Sequence, residues 1–120
     1  FPALTRASKV QKKAASVGFD WPDAAAALPK ITEETKELMD AMDGNGNQNE
    51  EMGDLLFAVV NVSRLLGLDA ELLLRDATDK FVSRFSAMEE LATADGKSLN
   101  DLSFSELDKL WEEVKKSRKL

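Results

Sequence analysis

Glu50-Glu51-Met52-Gly53-Asp54-Leu55-Leu56-Phe57-Ala58-Val59-Val60-Asn61-Val62-Ser63-Arg64-Leu65-Leu66 is the stretch that decides the fold. It contains no proline, its acidic head suits a helix N-terminus, and Gly67 follows as a stop. The spacing predicts a helix from about Asn47 to Leu66. That helix is apolar nearly all round, a pattern that calls for burial on several sides. One small monomer offers too little surface for this, so the expected position is the centre of a homodimer.

The same stretch opens on a pair of carboxylates, Glu51 and Asp54, at i and i+3. Residues so spaced share one helix face. The preceding segment repeats the arrangement in Glu33-Glu34-Thr35-Lys36-Glu37, where Glu34 and Glu37 form the pair. Ile31, Leu38 and Ala41 line up with Glu34, so this carboxylate borders an apolar face. Between the two clusters lies Asp43-Gly44-Asn45-Gly46-Asn47-Gln48-Asn49, rich in residues that tolerate turns. A helical hairpin about this loop brings four carboxylates into one small volume. Such a concentration of negative charge calls for a cation, and all-oxygen ligands suit Mg²⁺ or Mn²⁺. One E-x-x-E by itself reads as a solvated helix face; two facing copies beside apolar neighbours do not.

The rest of the chain extends the helical pattern. A first helix over roughly Ala3 to Ser16 carries Lys9, Lys12 and Lys13, and Val17 to Pro22 forms a connector. The second helix runs from about Pro22 to Met42, with Pro29 expected to kink or restart it. A fourth covers Asp69 or Ala70 to about Ala92, with Leu73, Ala77, Phe81, Val82 and Phe85 as its buried face. After a polar linker, Thr93 to Leu102, Ser103 and Glu106 have capping-box spacing. The fifth helix then carries Leu107, Leu110, Trp111 and Val114, and ends in a basic tail, Lys115 to Lys119. The expected fold is all-α, a four-helix-bundle-like domain of about five helices. It is read as one domain over residues 1–120, and the Phe1 start marks it as a fragment of something longer.

Composition narrows the chemistry. With 22 acidic against 16 basic residues, net −6, the chain is a poor match for a nucleic-acid polymer. An anionic substrate would need a divalent cation to meet this protein. There is no cysteine and no histidine. Disulfides, thiolate nucleophiles, Cys/His zinc sites and imidazole catalysis are excluded, as is a di-iron bundle built on Glu-x-x-His pairs. The apolar run Leu55 to Leu68 is interrupted and too short to span a membrane. The expected setting is cytoplasmic.

Lys80-Phe81-Val82-Ser83-Arg84-Phe85 holds a second constellation, with Lys80 and Arg84 on one helix face. An arginine fork and a lysine point charge together fit phosphate oxygens. Lys12 and Lys13 are further candidates for anion contacts, and Trp21 and Trp111 for stacking on a base.

Taken together, Val10-Gln11-Lys12-Lys13-Ala14-Ala15, Gly18-Phe19-Asp20-Trp21-Pro22, the two acidic motifs, Lys80 to Phe85 and Leu110-Trp111-Glu112-Glu113 resemble the MazG-type nucleoside triphosphate pyrophosphohydrolases. The match is similar to the C-terminal domain of two-domain bacterial members. The resemblance implies a homodimer of four-helix-bundle-like units that hydrolyses nucleoside triphosphates to monophosphate and pyrophosphate with Mg²⁺. It implies Glu34, Glu37, Glu51 and Asp54 as metal ligands and Lys80 and Arg84 as triphosphate contacts. Glu33 or Glu50 then remains to orient or deprotonate water. Thr78 stands where many relatives have Asn, and Pro29 is unusual in the second helix. The alternative is a non-catalytic helical dimer that serves as a nucleotide-binding or protein-interaction module.

Overall fold

A computed structural model describes residues 1–117; Arg118 and Lys119 of the expected basic tail lie outside the described residues. The described chain is all helical: α1 (Ala3–Ala15), α2 (Ala24–Met42), α3 (Gln48–Leu65), α4 (Ala70–Ala94), a 3₁₀ turn (Leu99–Asp101) and α5 (Phe104–Ser117). It divides into two compact units, Phe1–Leu73 and Leu74–Leu120.

In the first unit, α1 and α2 both pack on α3. Asp23, not Pro22, starts α2, because its carboxylate accepts the Ala26 N–H at 2.8 Å while Pro22 stays outside the helix. Asn47 caps α3 in the same way through the Glu50 N–H at 3.2 Å. Each such cap is worth about 1 kcal/mol. Pro29 neither breaks nor restarts α2, which runs through it. The Ala25 carbonyl loses its amide donor, but Ala25 and Pro29 are exposed, so water can take that bond.

Gly67 ends α3 as the sequence predicts. At φ +75° it adopts the left-handed turn, with Gly67 N–H donating to Arg64 O and Leu68 N–H to Ser63 O, both at 2.9 Å. In the α2–α3 loop, Gly46 at φ +146° lies over Ala41, which a Cβ at this position would meet at 3.5 Å. The short loop therefore holds α2 and α3 as a hairpin.

The core between these helices is small in its side chains: Ala27 and Ala41 from α2, and Ala58, Val60 and Val62 from α3. Alanines let two helix backbones approach closely. The all-round burial expected for α3 is not met in one copy, since Leu56 is 50%, Phe57 48% and Val59 43% exposed. One copy of so short a chain has too little surface to cover every apolar face.

α4, most of which belongs to the second unit, also departs from expectation. Along α4 only Met88 and Ala92 are buried, and the predicted inner face stays open: Leu73 is 43%, Phe81 54%, Val82 55% and Phe85 38% exposed, with Ala77 exposed as well. α4 runs two residues past the expected end, and the linker contains the 3₁₀ turn. The capping box of α5 is present and reciprocal. Ser103 N–H donates to Glu106 Oε1 at 3.1 Å, and Glu106 N–H to Ser103 Oγ at 3.2 Å.

Candidate metal centre

The hairpin sets the two acidic motifs at matching heights. Glu37 lies five residues before the end of α2 and Glu51 three residues into α3, so at ~1.5 Å rise per residue they face each other within about a turn. Glu34 and Asp54 sit one turn further from the loop. Carboxylate oxygens of Glu34, Glu51 and Asp54 lie within 4.8 Å of one another, as do those of Glu33, Glu34 and Glu37. Glu34 belongs to both groups.

The electrostatics of this cluster fit a cation. Glu34 is only 4% exposed, and its Oε2 is buried without a hydrogen-bond partner. Oε2 of Glu51 is buried and unpartnered too. An orphaned carboxylate oxygen is costly in an apolar setting, and two on facing helices are the acceptors a hard divalent ion takes. A hydrogen bond with Glu51 and then the charge of Glu34 raise the Glu37 carboxyl above its ordinary range. Adjacent carboxylates raise one another's pKa because they cannot all ionise cheaply. A bound cation would relieve that repulsion.

Among the described residues, two cationic contacts reach the cluster, both from Lys30. Its Nζ is 3.1 Å from Glu34 Oε1 and 3.3 Å from Glu33 Oε1. The paired glutamates in turn hold the lysine's pKa above its usual value, Glu34 first.

A cavity of about 640 Å³ adjoins the cluster. Glu34, Asp54 and Lys30 form part of its wall, and α3 contributes Phe57, Ala58, Asn61 and Arg64. From Asp54 to Arg64 the helix advances ten residues, about 15 Å. At the Arg64 end, its guanidinium donates to Asp20 Oδ1 at 2.6 Å and to Asn61 Oδ1 at 2.9 Å. The Arg64 hydrogen bond holds the Asp20 carboxyl below its ordinary range. Trp21 lines the same cavity, 44% exposed, and Gln11 closes it from α1, donating from Nε2 to Phe57 O at 2.9 Å.

Of the remaining candidates, Glu33 alone belongs to one of the two carboxylate groups. Glu33 is exposed and paired to Lys30, while Glu50 lies outside both carboxylate groups at the start of α3. Lys12 and Lys13 are exposed on the last turn of α1 and do not line the cavity. In the second unit Lys80 is exposed, and Arg84 lies over the Trp111 ring at 5.7 Å. Trp111 also packs on Phe81, with ring centroids 5.4 Å apart. Sequence reasoning missed Lys30, Gln11 and the Asp20–Arg64 pair. The signal for Lys30 was present in its i+3 and i+4 spacing to Glu33 and Glu34. The Asp20–Arg64 contact, 44 residues apart in the chain, has no local signature.

An all-α hairpin that gathers carboxylates beside a cavity, two of them with buried unpartnered oxygens, defines a helical protein with a candidate divalent-cation centre. The MazG nucleotide pyrophosphohydrolase domain model matches residues 23–88. The chain is 50% identical over 114 residues to the nucleoside triphosphate pyrophosphohydrolase/pyrophosphatase MazG of Thermotoga maritima, covering 95% of this chain and 44% of that protein. It is 40% identical over 119 residues to the nucleoside triphosphate pyrophosphohydrolase of Escherichia coli K12, covering 96% of this chain and 45% of the relative. Uncharacterized protein YabN of Bacillus subtilis is 44% identical over 73 residues, 61% of this chain and 15% of YabN. The chain belongs to the MazG nucleotide pyrophosphohydrolase family, and it spans a little under half the length of the first two of these relatives.

Proposed function

We propose that the chain hydrolyses nucleoside triphosphates to nucleoside monophosphate and pyrophosphate, with Mg²⁺ as the resident ion and Mn²⁺ as a substitute. The observation that carries this reading is the carboxylate cluster, with buried unpartnered oxygens on Glu34 and Glu51, in a chain whose relatives are named for that reaction. Glu34, Glu37, Glu51 and Asp54 would hold the ion. When bound, it supplies charge neutralisation for the triphosphate and a water of lowered pKa.

The chain's own groups do the rest. Glu33, exposed beside the cluster, or Glu50 orients or deprotonates the attacking water. Lys80 and Arg84 stabilise charge on the β and γ phosphates as pyrophosphate departs. The cavity between α1, α2 and α3 accepts the nucleoside, with Trp21 offering a ring face to the base. Trp111 and the α1 lysines, Lys12 and Lys13, are further substrate contacts in this reading.

The working form we infer is a homodimer. Its support is the apolar surface left on α3 and α4, where Leu56, Phe57, Val59, Phe81 and Val82 are each more than two-fifths exposed. Among the described residues, no helix is long and apolar enough to cross a membrane; a cytoplasmic setting, where nucleoside triphosphates are made and used, belongs to the same proposal.

The test is product analysis after incubation with each nucleoside triphosphate, in Mg²⁺ and in EDTA. Equal monophosphate and pyrophosphate, formed only with metal, is the expected result. Absence of turnover by the folded protein would favour a nucleotide-binding module instead.

A further inference from the structure

Glu34 has its two oxygens in different states. Oε1 accepts from Lys30 Nζ at 3.1 Å, while Oε2 is buried and has no partner. The side chain is 6% exposed, against 39% for Lys30, so the lysine reaches inward from the surface to a buried acceptor. Among the described residues, Lys30 is the one cation within 4.0 Å of Glu33, Glu34, Glu37, Glu51 or Asp54. Glu34 is also the carboxylate common to both candidate ligand groups. Whatever fixes its rotamer fixes the geometry of the whole centre.

We propose that Lys30 is a positioning residue of the metal centre, pinning Oε1 of Glu34 so that Oε2 is presented to the cation. The inference rests on the metal reading above. A glutamate has three rotatable side-chain bonds, and a ligand free to turn loses affinity for its ion. Partners that orient ligating carboxylates typically contribute about 10-fold to 100-fold in metal affinity. Lys30 makes two contacts at once, to Glu34 and to Glu33 at 3.3 Å, and the second anchors the ammonium against swinging away. Its opposite effect would be electrostatic, since an ammonium repels a nearby divalent ion. The two effects give opposite signs on removal of the lysine, which makes the assignment decidable.

The experiment is Mn²⁺ binding to the whole chain without nucleotide, followed by electron paramagnetic resonance, in wild type, Lys30→Met and Lys30→Arg. Helix content by circular dichroism checks that each variant is folded. Positioning predicts that Lys30→Met binds Mn²⁺ about 10-fold more weakly and that Lys30→Arg recovers most of the loss. Unchanged or tighter binding in folded Lys30→Met would overturn the assignment while leaving the metal centre standing. Absence of Mn²⁺ binding in wild type would overturn both together.

Discussion

From Phe1 to Leu73 the chain closes α1, α2 and α3 around Ala27, Ala41, Ala58, Val60 and Val62, with Gln11 and Glu34 buried among them. From Leu74 onward it buries Met88, Ala92 and Val114 and leaves Phe81, Val82, Phe85 and Leu91 in the open. The first unit holds its acidic cluster and cavity entirely from its own residues. The second presents Lys80 and Arg84 on a helix whose apolar face is uncovered. The contrast separates two tasks. Gathering carboxylates needs only a short hairpin, whereas covering a long amphipathic helix needs more surface than one copy provides.

The largest effect expected on this division is in the first unit. Glu37→Gln or Asp54→Asn should lower kcat/KM by about 100-fold or more, since each removes charge from the place where the ion would sit. Circular dichroism should show the helices intact. Turnover retained in both variants would mean that the cluster is not the metal centre.

A smaller effect, different in kind, is expected from the second unit. Lys80→Ala or Arg84→Ala should cost about 10-fold to 100-fold in kcat/KM, the range of a lost charge-assisted hydrogen bond. Mn²⁺ affinity without nucleotide should not change. If it fell as well, the metal and phosphate roles would not be divided as described.

The exposed face of α4 gives a third test. If the proposed homodimer forms through this face, Phe81→Asp with Phe85→Asp should shift the sedimentation coefficient from dimer toward monomer, because burying charges on an apolar face is costly. The same sedimentation in wild type and variant would show that this face is not what a second copy covers.

The smallest effects concern pH. Because Glu51 and Glu34 raise the Glu37 pKa in the folded state, the stability it contributes is full below the ordinary glutamate value. It is lost as pH rises through the raised one, so the melting temperature of metal-free protein should fall across that window. Glu37→Gln should flatten this step. Asp20 has the opposite sign: its pKa is lowered by Arg64, and its contribution is present above the ordinary aspartate value and lost as pH falls through the lowered one. Asp20→Asn should remove the acid-side loss in a melting series.

Much of this architecture was legible in residue order. The stop at Gly67, the Ser103–Glu106 capping box and the turn-rich loop are local devices, and each appears where its spacing places it. The carboxylate convergence was legible too, because two i,i+3 pairs flanking one loop leave a hairpin few other arrangements. Pro29 does not restart the helix, since an exposed helix position tolerates a missing amide bond that a buried one would not. The burial pattern of α4 misled. Periodicity identifies an apolar face but not what covers it. Lys30 was overlooked although its i+3 and i+4 spacing to Glu33 and Glu34 carried the signal, whereas the Asp20–Arg64 pair depends on the folded path of the α1–α2 connector, which residue spacing alone does not encode.

The most direct test of the central claim is turnover of a nucleoside triphosphate in ¹⁸O-enriched water with Mg²⁺, followed by mass analysis of both products. Water directed at the α-phosphorus by the first unit's cluster predicts one heavy oxygen in the monophosphate and none in pyrophosphate. Label in the pyrophosphate, or release of labelled inorganic phosphate, would contradict the account.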